Sequence, residues 1–280
     1  DMLLAAGLSP EDARDWSNCG CVVPHFRKIG EWTSAVNINL AAAVEFTLNK
    51  GIHRESGVQM GLITELEEVN SFEEFQEAFY AQLKALVEVG VTGSLIAQRV
   101  HSEIVPRPYL SLLVDGCMEK GRDLSKGGAK YCLGPVLTGI GLADAANALA
   151  GIKMLVFEQK KYTLQEIQAA LAVDWENFEE LRQTALKCPK YGNDDNYVDS
   201  IAQEISDRYH TFIHQYHDLF GANFNSAFMG ISNYIPAGSV VCATPEGRKA
   251  GSPLTEGVSP HAGTDIESPL AALKSAAKIN

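Results

Sequence analysis

Basic charge is scarce in this chain. Lys and Arg together number 23 against 35 Asp and Glu, for a net charge of −12 and a pI near 5.0. The few cations are scattered, with no basic run. A polyanion needs a basic surface, so no nucleic-acid partner is expected. Long apolar runs are lacking too. None approaches the ~20 residues of a membrane-spanning helix, and no membrane association is expected. The opening DMLLAAGLSPEDARDW has no basic segment ahead of its apolar residues, unlike a secretory leader, so the expected location is cytoplasmic. There is no CxxC pair, and the seven histidines do not fall at zinc-ligand spacing, so no metal site is expected. The six cysteines, Cys19, Cys21, Cys117, Cys132, Cys188 and Cys242, are irregularly spaced in a long chain. They read as reduced thiols rather than a disulfide framework. Repeats and low-complexity stretches are also missing.

What is present is a chain of 280 residues, 46% hydrophobic, with enough apolar material for a sizeable core. Helical periodicity dominates. VNINLAAAVEFTLNK (36–50) reads as a helix ending at Gly51. SFEEFQEAFYAQLKALVEVGV starts with Ser71 as N-cap and Glu74 as the partner of a capping box. GLADAANALAGIKMLVFE (141–158) is a small-residue helix suited to close packing. Thr163 and Glu166 form a second capping box ahead of TLQEIQAALA, and WENFEELRQTAL and DNYVDSIAQEISDRYHTFIHQYHDLF follow. On the last of these, His210, His214 and His217 recur at i, i+4 and i+7; with no acidic pair on that face they read as a solvated or interfacial stripe. Strands are few: YLSLLVD (109–115) and SVVCAT (239–244) are the best candidates. Helices alternating with short strands indicate an α/β fold. The abrupt apolar start and the ending SAAKIN read as an excerpt from a longer protein.

The chemistry-bearing element is SNCGCVVPHF (17–26). Gly20 permits backbone angles closed to other residues and Pro24 stiffens the exit, so the loop suits a thiol at its tip. Taken alone, a buried loop with two small apolar cysteines is the simpler account. His25 reads as pocket-lining or surface, and His53 as a substrate contact or a histidine favoured by a helix C-terminus. In PKYGNDD (189–195), Asn193 and Asp194 read as turn-bonding and capping groups. PEGRKAG (245–251) reads as a structural turn ahead of a phosphate loop.

GCVVP (20–24) resembles the cysteine loop of glycyl radical enzymes of the pyruvate formate-lyase and glycerol dehydratase type. Further stretches resemble the same family in the expected order: DGCMEKGRDLSKGGAKY (115–131), GIGLADAANALAGIKMLVFE (139–158), PKYGNDDNYVD (189–199) and ATPEGRKAGSPLTEGVSPHAGTD (243–265), then SPLAALKSAAKI. The resemblance runs from about Cys19 to the last residue. It implies that residues 1–280 are part of a barrel domain: half of a ten-stranded barrel surrounded by helices. The family's Arg-Val-(Ser/Ala)-Gly-Tyr radical loop appears nowhere in the sequence. The glycyl radical is therefore expected on a glycine outside this chain, with no cofactor bound in it.

The resemblance further implies that Cys21 is the thiyl-radical cysteine, with Cys19, Val23, His25 and His53 as possible pocket-lining residues. A glycyl radical takes hydrogen from the cysteine thiol, and the thiyl radical then takes hydrogen from a substrate carbon. A barrel interior keeps water and oxygen from the intermediates. The implied function is a radical lyase cleaving a C–C or C–X bond of a small organic substrate. The implied partner is a radical-SAM activating enzyme with an iron–sulfur cluster, and the implied assembly a homodimer. Alternatives are a fumarate-adding or acyl-transferring enzyme of the pyruvate formate-lyase kind, or a non-catalytic truncated or split-gene product. This chain alone is expected to be inactive. A thiolate hydrolase ranks last, because no Cys–His–Asn arrangement is evident. One position departs from the pattern. Dehydratases of the family carry Glu two residues after the cysteine, where this chain has Val23, so a reaction needing that carboxylate is not expected.

Overall fold

The computed structural model describes residues 2–5, 7–19, 23–26, 28–31 and 35–279; for residues 2, 5, 18–19, 23–26 and 31 it describes the backbone alone. The chain divides into two compact units. The first comprises Asp1–Val36, Gly90–Leu137 and Ile213–Asn225, and the second Asn37–Val89, Thr138–Phe212 and Ser226–Asn280.

The helices along the chain are α1 (Met2–Ala5), α2 (Leu40–Leu48), α3 (Phe72–Ile104), α4 (Pro108–Ser111), α5 (Cys117–Lys120), α6 (Leu142–Ile152), α7 (Leu164–Ala172), α8 (Glu179–Leu186), α9 (Asn196–His214), α10 (Tyr234–Ser239) and α11 (Pro269–Ala276). The strands are β1 (Trp16–Cys19), β2 (Val23–Phe26), β3 (Gly30–Glu31), β4 (Ala35–Asn39), β5 (Tyr131–Cys132), β6 (Val136–Ile140) and β7 (Asn225–Ala227). They form the antiparallel pair β1-β2, the parallel pair β3-β5 and a three-stranded sheet in the order β4-β6-β7. The α/β class is the expected one.

In the first unit, Leu8 and Ile29 are buried with Leu3, Ala13, Tyr131 and Leu133 packed against them. Asp12 ties the N-terminal turn to β5: its Oδ2 accepts from the Tyr131 hydroxyl and the Lys130 ammonium, both at 2.7 Å. The strand expected over 109–115 is absent, and the short helix α4 opens there instead. Pro108 at its first turn has a fixed φ suited to starting a helix. The Asp123 carboxylate accepts from the Arg107 N–H and the Ser111 hydroxyl, and the N–H groups of Ser111 and Leu112 turn back onto the carbonyls of Arg107 and Pro108, leaving no ladder donor there.

The second unit is built around α6. All eleven of its residues are buried. Its alanines allow close approach on every side, and α2 packs on it. Past Ile152 the helix widens into a π-turn over Lys153–Glu158. The helix expected from residue 36 starts later: 35–39 is strand β4, as Val36 and Ile38 favour, and Asn39 Oδ1 caps α2 through the Ala42 N–H at 3.1 Å. At α3 the Ser71 hydroxyl accepts from Glu74 N–H, but the Glu74 carboxylate reaches back to Asn70 rather than Ser71. At α7 the Thr163–Glu166 box is closed as expected. The strand expected over 239–244 is also absent. Its backbone is satisfied by side chains: Glu45 accepts from Cys242 N–H, and Arg248 donates to the carbonyls of Gly238 and Cys242.

Candidate active site

The cysteine loop is carried by the β1-β2 hairpin. The register runs Trp16↔Phe26, Ser17↔His25, Asn18↔Pro24 and Cys19↔Val23. Pro24 lacks a donor, which a two-stranded pair tolerates because each strand keeps an open edge. Residues 20–22, with the side chains of Cys19, Val23 and His25, lie outside the described residues.

His53 follows the turn that ends α2, where Lys50 and Gly51 both take positive φ. Its ring donates from Nε2 to the Val240 carbonyl at 2.8 Å, and Nδ1 accepts from the Ser56 hydroxyl at 2.9 Å. Both ring nitrogens are thus engaged in holding the loop before Val241. Beside it, Glu45 bridges Arg54 N–H at 2.8 Å and Cys242 N–H at 3.0 Å. Burial, reinforced by Glu45, pushes the Cys242 thiol up to about 11, and burial also raises Cys188. Both are protonated at neutral pH and poor thiolate nucleophiles.

The PKYGNDD turn is structural. Lys190 is buried and its ammonium donates to the carbonyls of Ala185 and Cys188 at the end of α8. Asn193 binds the backbone of Thr264, Ile266 and Glu267. Asp194 pairs with Lys274 and Lys278 on and after α11, and the α9 cap is one residue later than expected, with Asp195 accepting from Tyr197 N–H. In PEGRKAG, Arg248 is spent on backbone carbonyls, as a structural turn requires. The histidine stripe is interrupted: α9 ends at His214, and His217 lies beyond it in a bridge to Asn223.

One cluster escaped sequence reading. Asp144, fully inside α6, accepts from the backbone and side chain of Thr255 and meets His261 Nδ1 at 2.9 Å. Nearby Glu246 is buried. Burial, and then Asp144, raise its carboxyl to about 7. A lone acid in the apolar stretch GLADAANALAG was the available signal.

The family described as "Pyruvate formate lyase-like" matches residues 1–238. Trans-4-hydroxy-L-proline dehydratase of Clostridioides difficile is 33% identical over 280 residues, covering 99% of this chain and 35% of that protein. Isethionate sulfite-lyase of Oleidesulfovibrio alaskensis is 32% identical over 289 residues, covering 98% of this chain and 34% of that protein. Among solved structures, the glycerol-bound B12-independent glycerol dehydratase from Clostridium butyricum matches with a TM-score of 0.94 at 36% identity, over 99% of this chain and 35% of that one. The fold is therefore that of part of a glycyl radical enzyme barrel. The chain belongs to the pyruvate formate lyase-like family of glycyl radical enzymes. It spans about a third of the length of the relatives it matches.

Proposed function

We propose that these residues are the cysteine-bearing part of a glycyl radical lyase acting on a small organic molecule, with Cys21 as the thiyl-radical residue. The observation that carries this reading is the sequence Gly20-Cys21-Val22-Val23-Pro24 in a chain that matches a glycyl radical dehydratase over 99% of its length. Cys21 serves as a hydrogen-atom carrier, so its thiolate character is irrelevant. The radical is stored on a glycine outside these residues, installed by a radical-SAM activating enzyme, and the assembled protein is a homodimer.

The relatives named above are a sulfite-lyase and two dehydratases, which favours cleavage of a C–X bond. Val23 favours a different sub-class. A positioned general base contributes about 100–10,000-fold, and valine supplies none. The substrate is accordingly one that presents hydrocarbon or an aromatic ring at position 23, or one whose cleavage needs no proton transfer there. The test is a turnover screen of the activated, family-length protein. Glycerol, propane-1,2-diol, choline and hydroxyproline form one set; pyruvate, arylacetates and toluene with fumarate form the other. Turnover confined to the second set is expected. Efficient turnover of any of the first four contradicts the Val23 assignment, and turnover surviving Cys21→Ala removes Cys21 from the mechanism.

A further inference from the structure

Asp144 lies in the first turn of α6 with 1% of its surface exposed. Its two oxygens hold the two ends of one loop. Oδ2 accepts from Thr255 N–H at 2.6 Å and from the Thr255 hydroxyl at 2.8 Å, while Oδ1 meets His261 Nδ1 at 2.9 Å. Between these ends the Tyr191 hydroxyl donates to the Val258 carbonyl, and Glu256 accepts from Ile231 N–H. Past His261, Thr264 folds back on the His261 carbonyl through both its N–H and its hydroxyl. Of these ties, only the one between His261 and Asp144 contains a group that titrates near neutral pH. The same loop forms one wall of an apolar groove of about 680 Å³, lined by Val258, Pro260 and Ala262 on one side and by Ala272, Leu273 and Ala276 of α11 on the other.

We propose that Asp144 and His261 form a pH-dependent clasp: with the imidazole protonated, the pair holds residues 259–265 against α6, and deprotonation loosens that segment and reshapes the groove beside α11. The charged groups facing the ring are Asp144 from α6 and Glu246 and Arg248 from the 244–248 turn. The hydrogen bond to Asp144 is the largest influence and raises the imidazole above its ordinary value; Glu246 adds to this, while burial and Arg248 oppose it. A raised histidine gives a contact that is complete below the ordinary histidine range and weakens as pH rises through the folded-state value. The neutral ring still donates from Nδ1, so what is lost is the charge-assisted part, roughly half of the bond. Thr255 and Tyr191 retain the remainder of the loop.

The clasp is independent of radical chemistry and is tested without turnover. Two quantities are followed on the family-length protein, before activation, from pH 5 to 9: the His261 imidazole resonance, and amide-exchange protection of residues 259–265 corrected for intrinsic rate. The expected result is a fall of about fivefold in the protection of residues 259–265 relative to that of α6, over the pH range in which the ring titrates. Glu246→Gln is expected to move both midpoints to lower pH together. His261→Gln is expected to give protection that, relative to α6, is pH-independent and at the high-pH level of the parent. Protection that stays flat relative to α6 through the ring's titration overturns the proposal, as does a pH response relative to α6 that persists in His261→Gln. If His261→Gln does not fold, midpoints that fail to move together in Glu246→Gln overturn it.

Discussion

Glu246 has one oxygen on the Thr244 hydroxyl and the other buried without a partner, in the field of Asp144. Folding therefore favours its protonated form, with a folded value of about 7 against an ordinary 4.5. The folded state binds the extra proton, so stability is greatest below about pH 4.5 as far as this group is concerned. It is lost as pH rises toward 7, and is level above that. Glu246→Gln, which cannot ionise, should gain on the parent between pH 5 and pH 8 by on the order of 2–3 kcal/mol, read from urea unfolding at both values. An equal difference at the two pH values would show that Glu246 is ionised throughout. None of this was legible in PEGRKAG, because the field at Glu246 comes from Asp144, about a hundred residues earlier in the chain. The GCVVP string, in contrast, carried its own signal: the match to the family's cysteine loop and the departure at Val23 are both local.

At the level of elements, local rules held where the partners are local. The box at α7 is closed on both sides, with Glu166 N–H to Thr163 Oγ1 at 3.2 Å and Thr163 N–H to Glu166 Oε2 at 2.7 Å. Thr163→Ala should cost about 1 kcal/mol, measurable as a lowered denaturation midpoint, whereas Thr163→Ser should cost much less. Equal loss in the two variants would mean that the hydroxyl is not the capping group. The helix α6 was legible for the same reason, and its close packing adds a prediction. Ala146 is fully buried, and Ala146→Leu should destabilise by about 1–3 kcal/mol through overpacking; a neutral outcome by thermal unfolding would mean that the helix has room beside it. Residues 109–115 and 239–244 resemble strands by β-branched content and flanking Gly or Pro, yet neither is one. In the first the backbone closes into short turns, with Ser111 N–H on the Arg107 carbonyl and Leu112 N–H on that of Pro108; in the second it is taken by Glu45 and Arg248. Such side-chain partners at a distance leave no trace in a local window.

For the molecule as a whole, the order of motifs along the chain carried more information than any one of them. It identified the family from sequence, and the match to a solved glycyl radical dehydratase extends over 99% of the residues. The substrate was not legible, since these residues span about a third of the relatives' length. The central claim is that Cys21 passes a hydrogen atom between the stored glycyl radical and the substrate. It can be tested without knowing that substrate. The family-length protein is activated anaerobically and transferred to deuterated buffer, and the glycyl radical is followed by electron paramagnetic resonance. Reversible transfer through an exchangeable S–H replaces the glycyl α-hydrogen by deuterium and collapses its hyperfine splitting. The expected result is collapse in the parent protein, with Cys21→Ala forming the radical yet keeping the splitting, and Cys19→Ala behaving like the parent. Collapse that persists in Cys21→Ala would contradict the assignment.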